Sequence, residues 1–171
     1  MNKVNSTKSR IFLLIGFMAA GKSFIGKKVA KELECEYIDL DYFIEFNESA
    51  SIKEIFTEKG EEYFRKAETE YFEKIIALNN YKLILSAGGG FPLKKENRIL
   101  MKKVTTIFIN TDLDTILTRL HSEEKTKRPL IANLDKEGIK KLYDERLAVY
   151  KSVADYTANN YNEVYDFMTS V

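Results

Sequence analysis

The chain has 171 residues, of which 44% are hydrophobic and 31% are charged, a composition typical of one globular domain with its own core. Because 27 lysines and arginines stand against 26 aspartates and glutamates, the net charge is only +1. This excludes a general electrostatic attraction for nucleic acid or an anionic membrane. Cys35 is the only cysteine, so the composition favours a cytoplasmic protein, which we expect to be a monomer with a small-molecule partner.

The first predicted element is a buried strand at Ile11–Ile15 that leads into a phosphate-binding loop. Gly16, Gly21, Lys22 and Ser23 have the spacing G-x-x-x-x-G-K-[ST]. Small residues in such a loop let backbone N–H groups surround a phosphate at the start of a helix. We expect Lys22 to reach the outer phosphates and Ser23 to coordinate Mg²⁺. A secretory signal peptide is the alternative for this stretch, but it leaves the Gly-Lys-Ser register unexplained.

The later elements alternate between strands and helices. The apolar pattern predicts strands at 37–40, 82–86, 105–109 and 156–158, and helices at 41–47, 52–58, 61–78, 94–102, from 113, at 135–153 and at the C-terminus. Residues 121–134 lose this periodicity and gather charge around Pro129, which we interpret as a lid. Alternating strands and helices predict an α/β fold, a parallel sheet covered by helices on both faces.

Polar residues follow several of the predicted strands, at the edge where open parallel sheets bind ligands. Asp39 is the candidate for the Mg²⁺ shell, and Asp41 is placed to accept a hydroxyl proton, although either could be a helix cap. A run of glycines at 88–90 is either a flexible turn or a place where a substrate approaches the backbone. Arg146 borders the apolar stripe of its helix, so it needs an anionic partner or a route to water.

Two further arginines have ordinary alternatives. Arg65 could form a helix-surface pair with Glu68, and Arg128 lies in a charged run that is normally solvated. A lid arginine can also stabilise charge on a transferring phosphoryl group. Two arginines that converge on one substrate would suggest a carboxylate, because the guanidinium fork matches it with two hydrogen bonds.

Together these motifs resemble the shikimate kinase family. The phrases that carry the resemblance are GFMAAGKS at 16–23, DLD at 39–41, SIKEIF at 51–56, FRKAE at 64–68, AGGG at 87–90, RPL at 128–130, and Arg146 with Tyr150. The resemblance implies a single domain with the fold of nucleoside monophosphate kinases, a five-stranded parallel sheet with helices on both faces. It implies a substrate-binding insert at about 39–68 and a lid at about 121–134. The implied reaction is transfer of the γ-phosphoryl group of ATP to the 3-hydroxyl of shikimate, on the route to chorismate and the aromatic amino acids.

The resemblance also implies roles for individual residues. The shikimate site would comprise Asp41, Phe56, Phe64, Arg65, Glu68, Gly88, Gly89, Gly90 and Arg146. The ATP site would comprise Ala19, Ala20, Gly21, Lys22, Ser23, Phe24, Arg119 and Arg128, with Arg119 stacking on adenine. The Mg²⁺ positions would be Ser23 and Asp39, and the catalytic residues Lys22, Asp41 and Arg128.

The chain departs from the family pattern at three places. Ala19 stands where a glycine is usual, which we expect to be tolerated if its φ is negative. Glu48, Ser49 and Ala50 replace a typical Thr-Gly turn, and Asn159 and Asn160 stand where an arginine near the adenine is common. The rival functions are a gluconate or nucleoside monophosphate kinase and a nucleotide-binding switch protein. Neither the His-Pro expected of the first nor the Asn-Lys-x-Asp motif of the last is present.

Overall fold

The computed structural model describes residues 10–78, 81–122 and 134–171, except for the side chains of His121 and Ser122. Within these ranges five parallel strands form one sheet in the order β2-β3-β1-β4-β5. The strands are β1 (Ile11–Ile15), β2 (Glu36–Asp39), β3 (Leu83–Ser86), β4 (Thr105–Ile109) and β5 (Tyr156–Ala158). The predicted five-stranded parallel sheet is confirmed.

Eight α-helices connect and cover these strands in the described part of the chain. They are α1 (Lys22–Glu32), α2 (Leu40–Glu48), α3 (Ile52–Glu58), α4 (Gly60–Leu78), α5 (Lys95–Met101), α6 (Leu113–Ser122), α7 (Lys136–Val153) and α8 (Tyr161–Thr169). A short 3₁₀ turn at Phe91–Leu93 precedes α5. None of the described helices has the length and apolar character that a membrane span requires.

The central strand β1 is buried on both faces, as its continuous apolar sequence predicts. Successive side chains of a strand point to opposite faces. Leu13 accordingly packs in a core with residues of α2–α5 and α7. Leu14 packs in a second core with Val29 of α1 and Val164 of α8. The two cores explain why helices cover both faces.

Several predicted boundaries differ from the observed ones by one or two residues, and two of these concern segments with predicted site residues. The strand predicted at 37–40 ends at Asp39, because the Asp39 side chain accepts hydrogen bonds from the backbone N–H groups of Asp41 and Tyr42 and begins α2 at Leu40. At the other end of the chain, α6 continues through Ser122, so the predicted loop does not begin at residue 121. The remainder of the predicted lid, residues 123–133 with Arg128, lies outside the described residues.

Candidate active site

The phosphate loop connects β1 to α1 and has an unusual backbone. Gly16 has φ +149°, and a Cβ there would lie 2.8 Å from the carbonyl oxygen of Ile109, so only glycine fits at this turn. Ala19 has φ +59°. The condition under which we expect alanine to be tolerated there, a negative φ, is therefore not met, and the loop holds Ala19 in the left-handed region at a cost of about 1 to 2 kcal/mol.

Contacts from the loop's own lysine and from α6 support this conformation. The Lys22 ammonium donates to the carbonyl oxygens of Gly16 at 2.9 Å and Phe17 at 3.0 Å. From α6, the Arg119 guanidinium donates to the Ala19 carbonyl at 2.9 Å. The strain at Ala19 is thus maintained by packing and hydrogen bonds outside the residue itself.

The start of α1 and the end of β2 meet through a serine and a carboxylate. The Ser23 hydroxyl donates to Asp39 Oδ2 at 2.8 Å, while Asp39 Oδ1 caps α2. Asp41 lies in the first turn of α2, so the extended geometry of β2 does not continue to it and the two carboxylates do not share one side of a strand. Asp39 is a helix cap and also faces the phosphate loop.

Tyr37 and Ser86 complete this cluster and were missed by the sequence reasoning. The Tyr37 hydroxyl lies 2.6 Å from Ser86 Oγ and 3.2 Å from Asp39 Oδ2, and Ser86 Oγ lies 3.2 Å from the same oxygen. Burial of the phenol is the main cause that raises the pKa of Tyr37 to about 12. The spacing of Tyr37 and Asp39 is the signal in the sequence that could find this contact, because residues two apart in a strand point to the same face.

Two carboxylates with unsatisfied oxygens face the first glycine of the 88–90 run. Asp41 Oδ1 and Glu68 Oε1 are buried and have no hydrogen-bond partner among the described residues. A Cβ on Gly88 would lie 3.1 Å from the former and 3.5 Å from the latter. Desolvation is the main cause that raises the pKa of Asp41 to about 6 and the pKa of Glu68 to about 7. Such orphaned buried oxygens are costly unless a ligand binds them.

Arg65 approaches the glycine run from α4. Its guanidinium donates to the buried Glu68 at 2.7 Å and to Glu61 at 3.1 Å. A Cβ on Gly90 would lie 2.9 Å from Arg65 Nη1, so a side chain there would push the guanidinium away from its present place. The predicted pair with Glu68 is present, but it lies inside the cleft and not on an open helix surface.

Arg146 approaches the same glycine run from α7. Its side chain is 6% exposed, and its Nε and Nη1 have no hydrogen-bond partner among the described residues. The guanidinium carbon lies 5.8 Å from the centre of the Phe17 ring. A neighbouring helix residue, Tyr150, donates from its hydroxyl to the Gly89 carbonyl at 2.6 Å. A buried cation with unused donors is a strong candidate for an anion-binding group.

A cleft of about 2,020 Å³ joins these parts. Apart from Arg128, every predicted site residue lines it: Ala19, Ala20, Gly21, Lys22, Ser23, Phe24, Asp39, Asp41, Phe56, Phe64, Arg65, Glu68, Gly88, Gly89, Gly90, Arg119 and Arg146. The Phe56 and Phe64 rings are 5.1 Å apart, and Phe24 is exposed. The location of these residues is thereby known, while their roles stay predictions.

A model of the shikimate kinase family matches residues 18–171 of the chain. The chain belongs to the shikimate kinase family. Membership makes it an ATP-dependent kinase, in agreement with the phosphate loop. Among the described residues there is no group of three or more His, Cys, Asp and Glu side chains that could hold a metal ion without further ligands.

Similar proteins share this family over most of their length. Shikimate kinase of Dictyoglomus turgidum is 39% identical over 157 residues, which cover 91% of this chain and 90% of the relative. Shikimate kinase from Acinetobacter baumannii in complex with shikimate superposes with a TM-score of 0.81 at 28% identity, over 96% of this chain and 91% of that one. Shikimate kinase from Aquifex aeolicus gives a TM-score of 0.77 at 33% identity, over 94% of each chain.

The third departure from the shikimate kinase pattern lies beside the cleft. Asn159 and Asn160 line it, but both side chains are engaged within the protein. Asn160 caps α8 by accepting from the Glu163 backbone N–H at 3.1 Å. Asn159 accepts from the Asn110 side chain at 3.0 Å and donates to Glu163 at 2.9 Å. These asparagines therefore shape the end of β5 and the start of α8.

Proposed function

We propose that the chain transfers the γ-phosphoryl group of ATP to the 3-hydroxyl of shikimate, giving shikimate 3-phosphate and ADP. The observation that carries this proposal is a set of buried side-chain atoms beside the phosphate loop that have no hydrogen-bond partner among the described residues. Arg146 offers unused donors, while Asp41 and Glu68 offer unused acceptors. A ligand with a carboxylate and several hydroxyl groups would satisfy both kinds of atom. Family membership and the similar structure that contains shikimate support the same choice.

In this proposal two arginines hold the acceptor's carboxylate. Arg146 and Arg65 lie on either side of the glycine run, each within about van der Waals distance of where a Cβ would stand at Gly89 or Gly90. Arg65 keeps its orientation through Glu68 and Glu61. Guanidinium groups fixed in this way recognise a carboxylate with directional, charge-assisted hydrogen bonds. Phe56 and Phe64 would line the remainder of this pocket.

Asp41 is the proposed group that orients the attacking hydroxyl and accepts its proton. With a pKa of about 6, its carboxyl is mostly ionised at neutral pH, which an acceptor requires. The raised pKa also makes it a better proton acceptor than an exposed aspartate. Because phosphoryl transfer is usually dissociative, we expect its positioning of the hydroxyl to matter more than its basicity.

The phosphates are proposed to lie in the loop at 16–23, where backbone N–H groups at the start of α1 face an anion. The Lys22 ammonium contacts two carbonyl groups of this loop, and in this proposal it would exchange these bonds for the outer phosphates. We propose that Phe24 and Arg119 border the nucleotide, that residues 39–68 form the acceptor-binding insert, and that Arg128 acts from a lid at 121–134. The single domain, the monomeric state and the cytoplasmic location stay predictions.

The residues present fit a magnesium ion bound together with ATP. Ser23 and Asp39 supply hydroxyl and carboxylate oxygens, the ligand type that Mg²⁺ prefers, and one or two protein ligands are typical when substrate phosphates provide others. The ion would neutralise charge on the phosphates. The chain's own contribution would be to hold these two side chains next to the loop.

The test is ADP release by the purified chain with ATP and Mg²⁺ while shikimate, gluconate and AMP are offered separately. We expect shikimate alone to stimulate release, and mass spectrometry to find a phosphorylated shikimate. The controls are the same mixtures without chain and with a Lys22→Ala chain. Stimulation by gluconate or AMP without stimulation by shikimate would contradict the proposal.

A further inference from the structure

We propose that Tyr37 is a positioning residue for the magnesium site. It acts by holding Asp39 in the orientation that accepts the hydrogen bond from the Ser23 hydroxyl. This inference rests on the proposed function, because it concerns how the chain prepares the Ser23 and Asp39 oxygens for the metal. Tyr37 lies outside both motifs that predict this site, the phosphate loop at 16–23 and the paired aspartates at 39–41.

The Tyr37 ring has a fixed place between β2 and α1. A Cβ on Gly26 of α1 would lie 2.5 Å from Tyr37 Cε2 and 3.0 Å from Cδ2, closer than real side chains approach. The absence of a side chain on Gly26 therefore lets the ring pack directly on the helix whose first turn holds Lys22 and Ser23. This packing directs the phenol toward the end of β2 and away from solvent.

The hydroxyl of Tyr37 contacts one oxygen on its own strand and one on the neighbouring strand. Asp39 on β2 lies opposite Ser86 on β3 in the parallel register, and the phenol oxygen is 3.2 Å from Asp39 Oδ2 and 2.6 Å from Ser86 Oγ. Tyr37 and Ser86 have one hydroxyl proton each. One of the two hydroxyls donates to Asp39 Oδ2 and accepts a hydrogen bond from the other, and the two can exchange these roles. The orientation of each hydroxyl therefore depends on its neighbour.

Both oxygens of the Asp39 carboxylate are held by hydrogen bonds in this arrangement. Oδ1 accepts from two backbone N–H groups of α2, and Oδ2 accepts from Ser23 and from the Tyr37–Ser86 pair. A carboxylate held in this way cannot rotate without losing several bonds. It therefore fixes the direction of the Ser23 O–H bond.

The direction of that proton decides what Ser23 can offer a cation. When the proton points at Asp39, the lone pairs of Ser23 Oγ point away from the carboxylate and are available to a metal. When the proton is free to rotate, part of the population presents it toward the cation instead. Groups that orient a metal ligand commonly change metal affinity by about 10-fold to 100-fold. Tyr37 is such a group, because it orients Ser23 through Asp39.

The test compares Tyr37→Phe with the unmodified chain and with Tyr81→Phe. Tyr81→Phe is a matched control, because the Tyr81 hydroxyl also bonds β2, at Glu36 and 2.8 Å away, but at the end of the strand remote from the loop. Mn²⁺ is used as the probe because carboxylate and water ligands suit it as they suit Mg²⁺. Free Mn²⁺ is counted by electron paramagnetic resonance while the ion is titrated into the chain with saturating ADP.

We expect Tyr37→Phe to weaken Mn²⁺ binding about 10-fold, to raise the apparent KM for Mg²⁺ in turnover, and to leave the KM for shikimate unchanged. Tyr81→Phe should change none of these. Ser86→Ala removes the other member of the hydroxyl pair and should weaken Mn²⁺ binding in the same way. A normal Mn²⁺ affinity in both site variants, or an equal loss of Mn²⁺ and shikimate affinity in Tyr37→Phe, would overturn the inference.

The failures of the two proposals can be told apart. If the unmodified chain binds Mn²⁺ with ADP but shikimate does not stimulate ADP release, the acceptor assignment is wrong and the Tyr37 comparison still stands on binding alone. If the unmodified chain turns over shikimate and Tyr37→Phe binds Mn²⁺ normally, only the role of Tyr37 is refuted. If the unmodified chain does not bind Mn²⁺ with ADP, the magnesium site and the role of Tyr37 are refuted, and ADP release alone decides the proposed transfer.

Discussion

Replacing Ala19 by glycine should stabilise this protein, although such a change normally does the opposite. Ala19 has φ +59°, and holding an L-residue in the left-handed region costs about 1 to 2 kcal/mol. Glycine relieves that cost but adds freedom to the unfolded chain, which removes about 0.4 to 1 kcal/mol. The difference of these terms runs from about 0 to 1.6 kcal/mol, and its centre is a net gain in unfolding free energy of about 0.8 kcal/mol.

Thermal unfolding followed by circular dichroism or calorimetry measures this gain. For a chain of this length, 1 kcal/mol shifts Tm by about 2 to 4 °C, so Ala19→Gly should raise Tm by about 1 to 4 °C. Ser49→Gly is the matched control, because Ser49 has φ +50° and ends α2. It should give a gain of the same sign without altering the phosphate loop.

Two results would contradict this reasoning. One is a lower Tm for Ala19→Gly together with a higher Tm for Ser49→Gly, which would mean that the loop backbone differs from the one described. The other is a gain for Gly21→Ala, since Gly21 has φ +96° and alanine there should be strained. We expect ADP affinity to be unchanged in Ala19→Gly, because the Ala19 carbonyl that accepts from Arg119 belongs to the retained backbone.

Three further variants test the proposed roles. Lys22→Ala should lower kcat by about 10²-fold to 10³-fold, because it removes a donor that acts most strongly in the transition state; a change in the KM for ATP alone would contradict this. Arg146→Ala should raise the KM for shikimate, with a loss of about 2 to 5 kcal/mol because the guanidinium is buried, and normal shikimate affinity in a folded variant would refute the carboxylate clamp. Asp41→Asn should lower kcat about 10²-fold and stabilise the fold. The wild-type carboxyl has its pKa raised to about 6 from an ordinary value of 3.8. The folded state therefore retains a proton more strongly than the unfolded state, and ionisation destabilises it as pH rises through this interval. The gain in Asp41→Asn, at most about 3 kcal/mol, should be complete above pH 6 and absent below pH 4, as judged by denaturant unfolding across this range.

The sequence predicts those parts of the fold that local patterns determine. The apolar run at Ile11–Ile15 has to be a buried strand, and the spacing from Gly16 to Ser23 has to be a tight loop before a helix. The secondary structure of these two segments depends mainly on residues that are neighbours in the sequence. The strand order is less local, but short parallel connections through helices restrict it to few arrangements. This explains why the described elements agree with their predictions except at their ends.

The parts that the sequence does not predict depend on long-range contacts. The sign of φ at Ala19 is decided by what surrounds the loop, including Arg119, which is 100 residues away. The meeting of Tyr37 and Ser86, 49 residues apart, depends on the register between β2 and β3. Similarly, the sequence indicates that Arg146 borders an apolar stripe. Only the fold shows that its Nε and Nη1 have no hydrogen-bond partner in the described part of the chain, and that Nη1 lies beside Gly89.

Asp39 uses one carboxylate oxygen to cap α2 and the other to bind the hydroxyls of Ser23, Tyr37 and Ser86. A substitution at Asp39 is therefore informative about one of these roles only if it preserves the other. Asp39→Ala would remove an oxygen of the proposed magnesium site and also the N-cap of α2, a loss of about 1 kcal/mol of helix stability, so the segment proposed to bind the acceptor would be disturbed as well. Asparagine is as good an N-cap as aspartate, and its amide NH₂ would face Ser23, Tyr37 and Ser86, whose hydroxyls can reverse. Asp39→Asn therefore separates charge at the magnesium site from the anchoring of α2.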